Sequence, residues 1–408
     1  MQIKIGGMLY IRNANLVDVE RSRVLADRHV VIRDDRIESV EAAPLPISEW
    51  IVEGTGLYLC PGLIDSHVHL FLDAGNDPRM WYLESDDPEK LQCAQHNARV
   101  AIEAGITTVR DCAAPAPLIF DLKDQIEKDL TPGPHVICCG RALMRPKGHC
   151  HFMGGEVETV EDVRRRIEWN LEHGAGFVKL MASGGGLTPG TVPHEPELAL
   201  ELMVAAAELA HDNGVPITAH CHATESISRA VEAGLDMIEH VNFVEPPGRW
   251  RYDETMTRKI LERGIVVNPT VFIALQTARR FRETGTAHNP QDVAAIERLE
   301  GRLENTRKFV QLGLKIIGGT DCGATNTPFD SIVDEILTYV QAGMSNAEAL
   351  QSITCKSAEY LGLPNVGKIA PGFRADLILV DANPLDDLTV LRRPRKVFKS
   401  GRLVHKRQ

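Results

Sequence analysis

Two histidines stand two residues apart in LIDSHVHLF, His67 and His69, and they open a set of polar residues that close apolar runs. On a strand, that spacing turns both imidazoles to one face. VPITAHCHA supplies His220, MIEHVNF supplies His240 and KIIGGTDCG supplies Asp321. Four imidazoles and a carboxylate converging on one rim are the donors a divalent transition metal prefers. Lys179 brings a different chemistry. It falls inside the apolar run of GFVKLMASGG, where an ammonium needs a partner and would be repelled by nearby cations. Such a lysine either snorkels to water from a strand end or, as the neutral amine, reacts with carbon dioxide. The resulting carbamate has two oxygens, one for each of two metal ions.

These residues need elements to carry them. Between residues 63 and 362, short apolar runs alternate with amphipathic stretches. The pattern predicts strands over 63–69, 107–111, 136–144, 177–182, 217–222, 237–243, 265–271 and 315–321. Helices are expected over 197–213, 224–233, 330–342 and 346–361, each followed by a glycine stop signal. Eight strand–helix units in about 300 residues predict an α/β fold, a closed (β/α)8 TIM barrel with its site at the C-terminal rim of the strands. The two ends, 1–62 and 363–408, show alternating strand patterns and turns instead. Neither is long enough for a core of its own, so they are expected to pair into one small β-sandwich domain beside the 63–362 barrel.

Bulk properties narrow the function. The 408 residues carry a formal charge of -11, which argues against nucleic acid because phosphate binding needs a basic face. No apolar run reaches ~18 residues, so no membrane span is expected. The start, MQIKIGGMLYIRNANLVD, lacks a signal-peptide core and cleavage site. Nine scattered cysteines do not form a disulfide framework. A soluble, cytoplasmic protein acting on a small molecule is the expectation, and a homo-oligomer is compatible with it.

The order of His-x-His on the first strand, Lys on the fourth, His on the fifth and sixth, and Asp on the eighth resembles the binuclear amidohydrolase superfamily. PGLIDSHVHL, KLMASGG, AHCHATE, IEH and GGTDCG are similar to its prolidase and imidazolonepropionase-like branch, and APGFRADLILVD resembles its C-terminal sandwich strand. The resemblance implies two divalent ions, for which the ligand set suits zinc best but accepts manganese, cobalt or iron. It implies that His67, His69, a carbamylated Lys179 and Asp321 hold the more buried ion, and Lys179, His220 and His240 the more exposed one. A bridging hydroxide would be the nucleophile, with Asp321 accepting its proton and passing it to the leaving amine. His149, in RALMRPKGHCHFMGGE, matches a carbonyl-polarising position, with His151 a weaker candidate.

One position departs from the branch. Prolidase-like relatives commonly resemble His-Ala-Tyr-Thr where this chain reads His220-Cys221-His222-Ala223, and the tyrosine holds the substrate carboxylate. His222 and the rim cations Arg145, Lys147, Arg249 and Arg251 are the candidates to replace that anchor. Trp81, Trp250 and Phe272 are candidates for an apolar side-chain pocket. Asp111 reads as support for the site or as a partner of Arg110. Cys138 and Cys139 read as packing residues, and Gly184–Gly186 as a tight turn rather than a phosphate cradle.

Hydrolysis of a dipeptide or N-acyl amino acid is the leading expectation. Opening of a cyclic amide, or hydrolysis of an ester or carbamate, would use the same metal chemistry. A one-metal deaminase needs a glutamate shortly after the fifth-strand histidine, and Glu225 lies five residues past His220. A non-catalytic scaffold would be expected to have lost ligands, whereas all six are present.

Overall fold

Apolar runs give a strand at each of the eight expected places in a computed structural model, which describes residues 7–44, 50–285 and 299–407; those expected over 136–144, 265–271 and 315–321 are shorter, His135–Cys138, Val266–Asn268 and Lys315–Ile316. Leu63–Val68, Ile106–Asp111 and His135–Cys138 form one parallel sheet. Val178–Met181, Ile217–Ala223, Met237–Glu245, Val266–Asn268 and Lys315–Ile316 form a second, also parallel. Backbone hydrogen bonds run between the two. Leu143 N donates to Lys179 O at 2.8 Å, and Met181 N donates back to Leu143 O at 2.8 Å. On the other side, Asp321 N reaches His67 O at 2.8 Å and His69 N reaches Cys322 O at 2.8 Å. All seven residues of Ile217–Ala223 are buried, the signature of strands covered on both faces.

The helices follow their sequence signals with two differences. Thr159 and Asp162 make a capping box that starts Val160–Glu172. Gly214, at φ 67°, follows the end of Leu200–Asp212. That helix begins three residues later than the expected 197, because Glu197 turns inward to accept His149 N at 2.7 Å. The expected helix over 346–361 is two helices, Asn346–Gln351 and Cys355–Tyr360. The carbonyls between them serve the strands instead: Ser352 O accepts Gly318 N at 2.8 Å and Ile353 O accepts Ile64 N at 2.8 Å. No helix among the described residues is long and apolar enough to cross a membrane.

Strands from the two ends of the chain join one hydrogen-bonded sheet. Met8–Asp18 pairs with Arg23–Arg33 on one side and with Trp50–Glu53 and Tyr58–Pro61 on the other. Tyr58–Pro61 pairs with Leu377–Val380, which leads on to Lys396–Lys399 and Arg402–Lys406. Leu9, Ile11, Leu59, Leu377, Leu379 and Phe398 pack together as its apolar cluster, each full burial contributing roughly 1.5–3 kcal/mol. The sheet is tied to the parallel strands by Gly62 N to Asp376 O at 2.8 Å and Arg374 Nη2 to Thr108 Oγ1 at 3.1 Å.

Candidate metal centre

Five of the parallel strands, with His69 and Asp321 on the segments that follow the first and the last of them, bring His67, His69, Lys179, His220, His240 and Asp321 to one cavity of about 150 Å³. Their rings crowd each other. His67 lies 5.3 Å from both His69 and His240, and His220 lies 4.6 Å from His240, between ring centroids. Ligand atoms of His67, His240 and Asp321 fall within 4.8 Å of one another, as do those of His220, His222 and His240. Two of these residues sit on backbone that side chains avoid: φ is 70° at His240 and 64° at Asp321. Such a conformation costs roughly 1–3 kcal/mol and persists only where the surroundings impose it.

Protein oxygens hold one nitrogen of each ring and leave the other for the cavity. His67 Nδ1 bonds Glu239 Oε2 at 2.9 Å, His69 Nδ1 bonds Ala113 O at 3.4 Å, and His240 Nδ1 bonds Thr270 Oγ1 at 2.6 Å. His220 uses Nε2, 3.3 Å from Gly184 O. This outer hydrogen bond fixes the tautomer, the arrangement characteristic of metal-binding histidines. Burial, reinforced by Lys179, pulls His67 down to about 4. Burial and neighbouring histidines hold His220 and His240 well below the usual imidazole range. These rings are therefore neutral at pH 7, as ligands must be. Burial alone would raise the Asp321 carboxyl, but His67, His69 and Lys179 override it and hold it below the ordinary carboxylate range. Its Oδ1 is 3.1 Å from His69 Nε2 and 3.5 Å from His67 Nε2.

Lys179 is 1% exposed and its Nζ has no hydrogen-bond partner among the described residues. Buried polar groups are nearly always paired, so an orphaned amine among neutral imidazoles and an ionised carboxylate fits a site made for cations. His149 and His222 line the same cavity. The His149 ring lies tilted beside that of His220, 4.7 Å between centroids, and burial pulls its imidazole down to about 3. Gly185 lies directly under it: a Cβ there would sit 2.5 Å from His149 Cε1. The glycine of the expected tight turn thus also makes room for the histidine. His222 bonds Asn242 through Nδ1 at 2.7 Å, and its backbone N–H donates to Ser183 Oγ at 2.8 Å.

Other expected residues lie elsewhere. Arg145 bonds Glu197 Oε1 at 2.9 Å, Arg249 is exposed on the short strand Arg249–Trp250, and neither lines the cavity. Arg251 pairs with Glu245 at 3.5 Å. Asp111 does not partner Arg110; its carboxylate accepts Leu70 N at 2.7 Å and Ala113 N at 3.2 Å, and burial pushes it up to about 7. All nine cysteines are free thiols.

Sequence reasoning missed the residue that organises the site. Glu239, fully buried, accepts from Arg110 at 2.5 Å, Thr218 at 2.7 Å and Asn268 at 2.9 Å as well as bonding His67. Burial opposes its charge, but Arg110 and His67 override that and hold it well below the usual range. Its signal was an acidic residue beside His240 inside an apolar run. Asp65 was also missed. It accepts His67 N at 3.2 Å and Thr320 N at 3.1 Å, joining the first and last parallel strands beside the ligands. Arg302 is the third, a cation lining the cavity from the helix Leu299–Leu312.

Known proteins resemble this chain in sequence and fold. The chain is 27% identical over 392 residues to ochratoxinase of Aspergillus niger, covering 85% of this chain and 75% of that protein. A crystal structure of a prolidase complexed with N-methylphosphonate-L-proline superposes with a TM-score of 0.86 at 27% identity, covering 98% of this chain and 100% of that one. A Xaa-Pro dipeptidase with bound methionine in its active site shares the fold, with a TM-score of 0.88 at 24% identity over 97% and 99% of the two chains. The amidohydrolase family pattern matches residues 58–404, and the chain belongs to that family.

Proposed function

We propose that the chain hydrolyses an amide bond in a small molecule, a dipeptide or N-acyl amino acid, at a centre of two divalent metal ions. The observation that carries this reading is Lys179 Nζ, buried among His67, His69, His220, His240 and Asp321 and without a hydrogen-bond partner among the described residues. Its lone pair forms a nitrogen–carbon bond to carbon dioxide with release of one proton, and the carbamate replaces an unpaired donor with two anionic oxygens. His67, His69, the modified Lys179 and Asp321 would hold one ion, and the modified Lys179, His220 and His240 the other. When bound, such a pair supplies a nucleophile from water near neutral pH and a Lewis acid for the scissile carbonyl.

The protein's own groups do the rest. Asp321 Oδ1, ionised and close to both His67 and His69, accepts the proton of the attacking water and returns it to the leaving amine. His149, whose buried Nδ1 has no partner among the described residues, would donate to the carbonyl oxygen as charge builds there. The strand-to-strand hydrogen bonds at Leu143 and at Asp321 support a closed (β/α)8 barrel over 63–362. The shared sheet supports a composite β-sandwich of 1–62 and 363–408.

Zinc-loaded protein assayed for amine release from dipeptides and N-acyl amino acids, with Lys179→Ala beside it, tests the reading. Release confined to the wild type supports it. No release from any member with two ions bound would move the reaction to lactams, esters or carbamates.

A further inference from the structure

The chain carries a second His-x-His. His220 and His222 stand two apart on Ile217–Ala223, as His67 and His69 do in LIDSHVHLF, and both line the cavity. With His240 from the neighbouring strand they close a triangle. Ring centroids are 4.4 Å apart for His220 and His222, 4.7 Å for His222 and His240, and 4.6 Å for His220 and His240. One ring nitrogen from each lies within 4.8 Å of the other two, and all three side chains are buried. Three imidazoles are by themselves a full protein set for zinc, with a fourth position left open. The resemblance to the binuclear superfamily gives the more exposed ion only two of them, His220 and His240.

The backbone is distorted where the third ring is held. Cys221 pairs with His240 and Ala223 with Val244, so His222 alone faces three residues, 241–243, of Met237–Glu245. Such a bulge re-aims side chains. φ is 70° at His240, 49° at Val241 and 54° at Phe243, a conformation that branched and bulky residues avoid and that gathers at working sites. Its product is the buried Asn242, whose Nδ2 lies 2.7 Å from His222 Nδ1. Asn305 Nδ2 holds the bulge from behind, donating to Asn242 O at 3.1 Å. Glu239 bonds Nδ1 of His67 and Thr270 bonds Nδ1 of His240 in the same manner, and outer partners of this kind orient metal-binding rings. A half-turn of the Asn242 amide lets Oδ1 accept from Nδ1–H, which leaves the Nε2 lone pair for an ion.

We propose that His222 is a third imidazole ligand of the more exposed ion, which therefore stays bound when the carbamate is absent. The inference rests on the metal centre proposed above and is independent of which bond that centre breaks. A neutral ring adds a donor without changing the charge of the site.

Metal-free protein titrated with zinc against a chelator, with zinc per chain counted after desalting, tests it in the wild type, His222→Ala, Lys179→Ala and the two substitutions together. We expect two ions in the wild type, one in Lys179→Ala and none in the double variant. His222→Ala should hold one of its two ions at least about 10- to 100-fold more weakly, since loss of an outer partner alone costs that much. Free imidazole, which can occupy the space of the missing ring, should restore the affinity. Weakening that imidazole does not reverse makes His222 a structural residue and overturns the proposal. Lys179→Ala that holds no ion, or that holds its ion equally well with His222→Ala added, also overturns it and leaves the two-ion carbamate centre standing. One ion in the wild type, unchanged in Lys179→Ala and lost in His222→Ala, keeps the three-imidazole site and refutes the two-ion centre.

Discussion

Replacing Glu239 with glutamine keeps its shape and removes its charge, and the consequences can be worked from its four partners. Arg110 is 2% exposed and is paired with Glu239 Oε1. Without the anion it becomes a buried, uncompensated charge, a defect that typically costs about 3–5 kcal/mol. Whole domains are stable by only about 5–15 kcal/mol, so the loss is large. The second consequence concerns His67. Oε2 takes the bond from His67 Nδ1 and another from Asn268 Nδ2. A glutamine amide turned to that side offers N–H groups, and His67 can meet them only by moving its proton to Nε2, the nitrogen that faces Asp321. That tautomer cannot bind metal. Loss of such an outer-shell partner weakens metal affinity by about 10- to 100-fold. We expect urea unfolding and a metal-chelator competition to show both effects in Glu239→Gln. Adding Arg110→Met should restore stability, since the unpaired charge is gone, while metal affinity stays low. Stability within ~1 kcal/mol of wild type together with unchanged metal affinity would refute the reasoning. Rescue of metal binding by Arg110→Met would show that Glu239 acts only through stability.

Gly185→Ala should displace the His149 ring, because the new methyl would start 2.5 Å from Cε1. With the carbonyl's hydrogen-bond donor moved, kcat should fall by about 10²–10³ while metal content is unchanged; unaltered kcat would remove His149 from the reaction. Lys399 offers a pH test remote from the cavity. Burial pulls its ammonium from 10.5 down to about 8, against the attraction of Asp376 and Asp129. The folded state thus holds this proton less tightly than the unfolded chain. The burial penalty is full below pH 8 and is relieved as pH rises toward 10.5, by at most roughly 3 kcal/mol. Lys399→Met should accordingly gain stability over wild type at pH 7, and the gap should close toward pH 10 in urea unfolding; a gap constant with pH would contradict this.

Strand periodicity carried much of this molecule. The eight parallel strands were legible as apolar runs, and the six candidate ligands as polar residues that close such a run or, for Lys179, interrupt one. Glu239 was hidden by the same regularity. Strict alternation would send 239 and 240 to opposite faces. The left-handed backbone at His240, φ 70°, breaks the alternation and lets both reach the interior. The break at 352–354 was invisible for another reason. Helical propensity there is ordinary, and the helix yields because Gly318 and Ile64 need the carbonyls of Ser352 and Ile353. Basic loop residues such as Arg145 carry no periodic cue to their direction; Arg145 turns to Glu197, a partner 52 residues away. Arg302 shares its helix with Arg307 and Lys308, where a cation reads as surface until the cavity beside it is known.

Carbon-13 NMR of protein loaded with zinc in carbon-13 bicarbonate, with metal content measured on the same sample, is the most direct test of a carbamylated two-metal centre. We predict a single carbamate carbonyl resonance and two zinc ions per chain in the wild type, and loss of both the resonance and the paired ions in Lys179→Ala. Two ions without a carbamate resonance, or an undiminished pair of ions in Lys179→Ala, would contradict it.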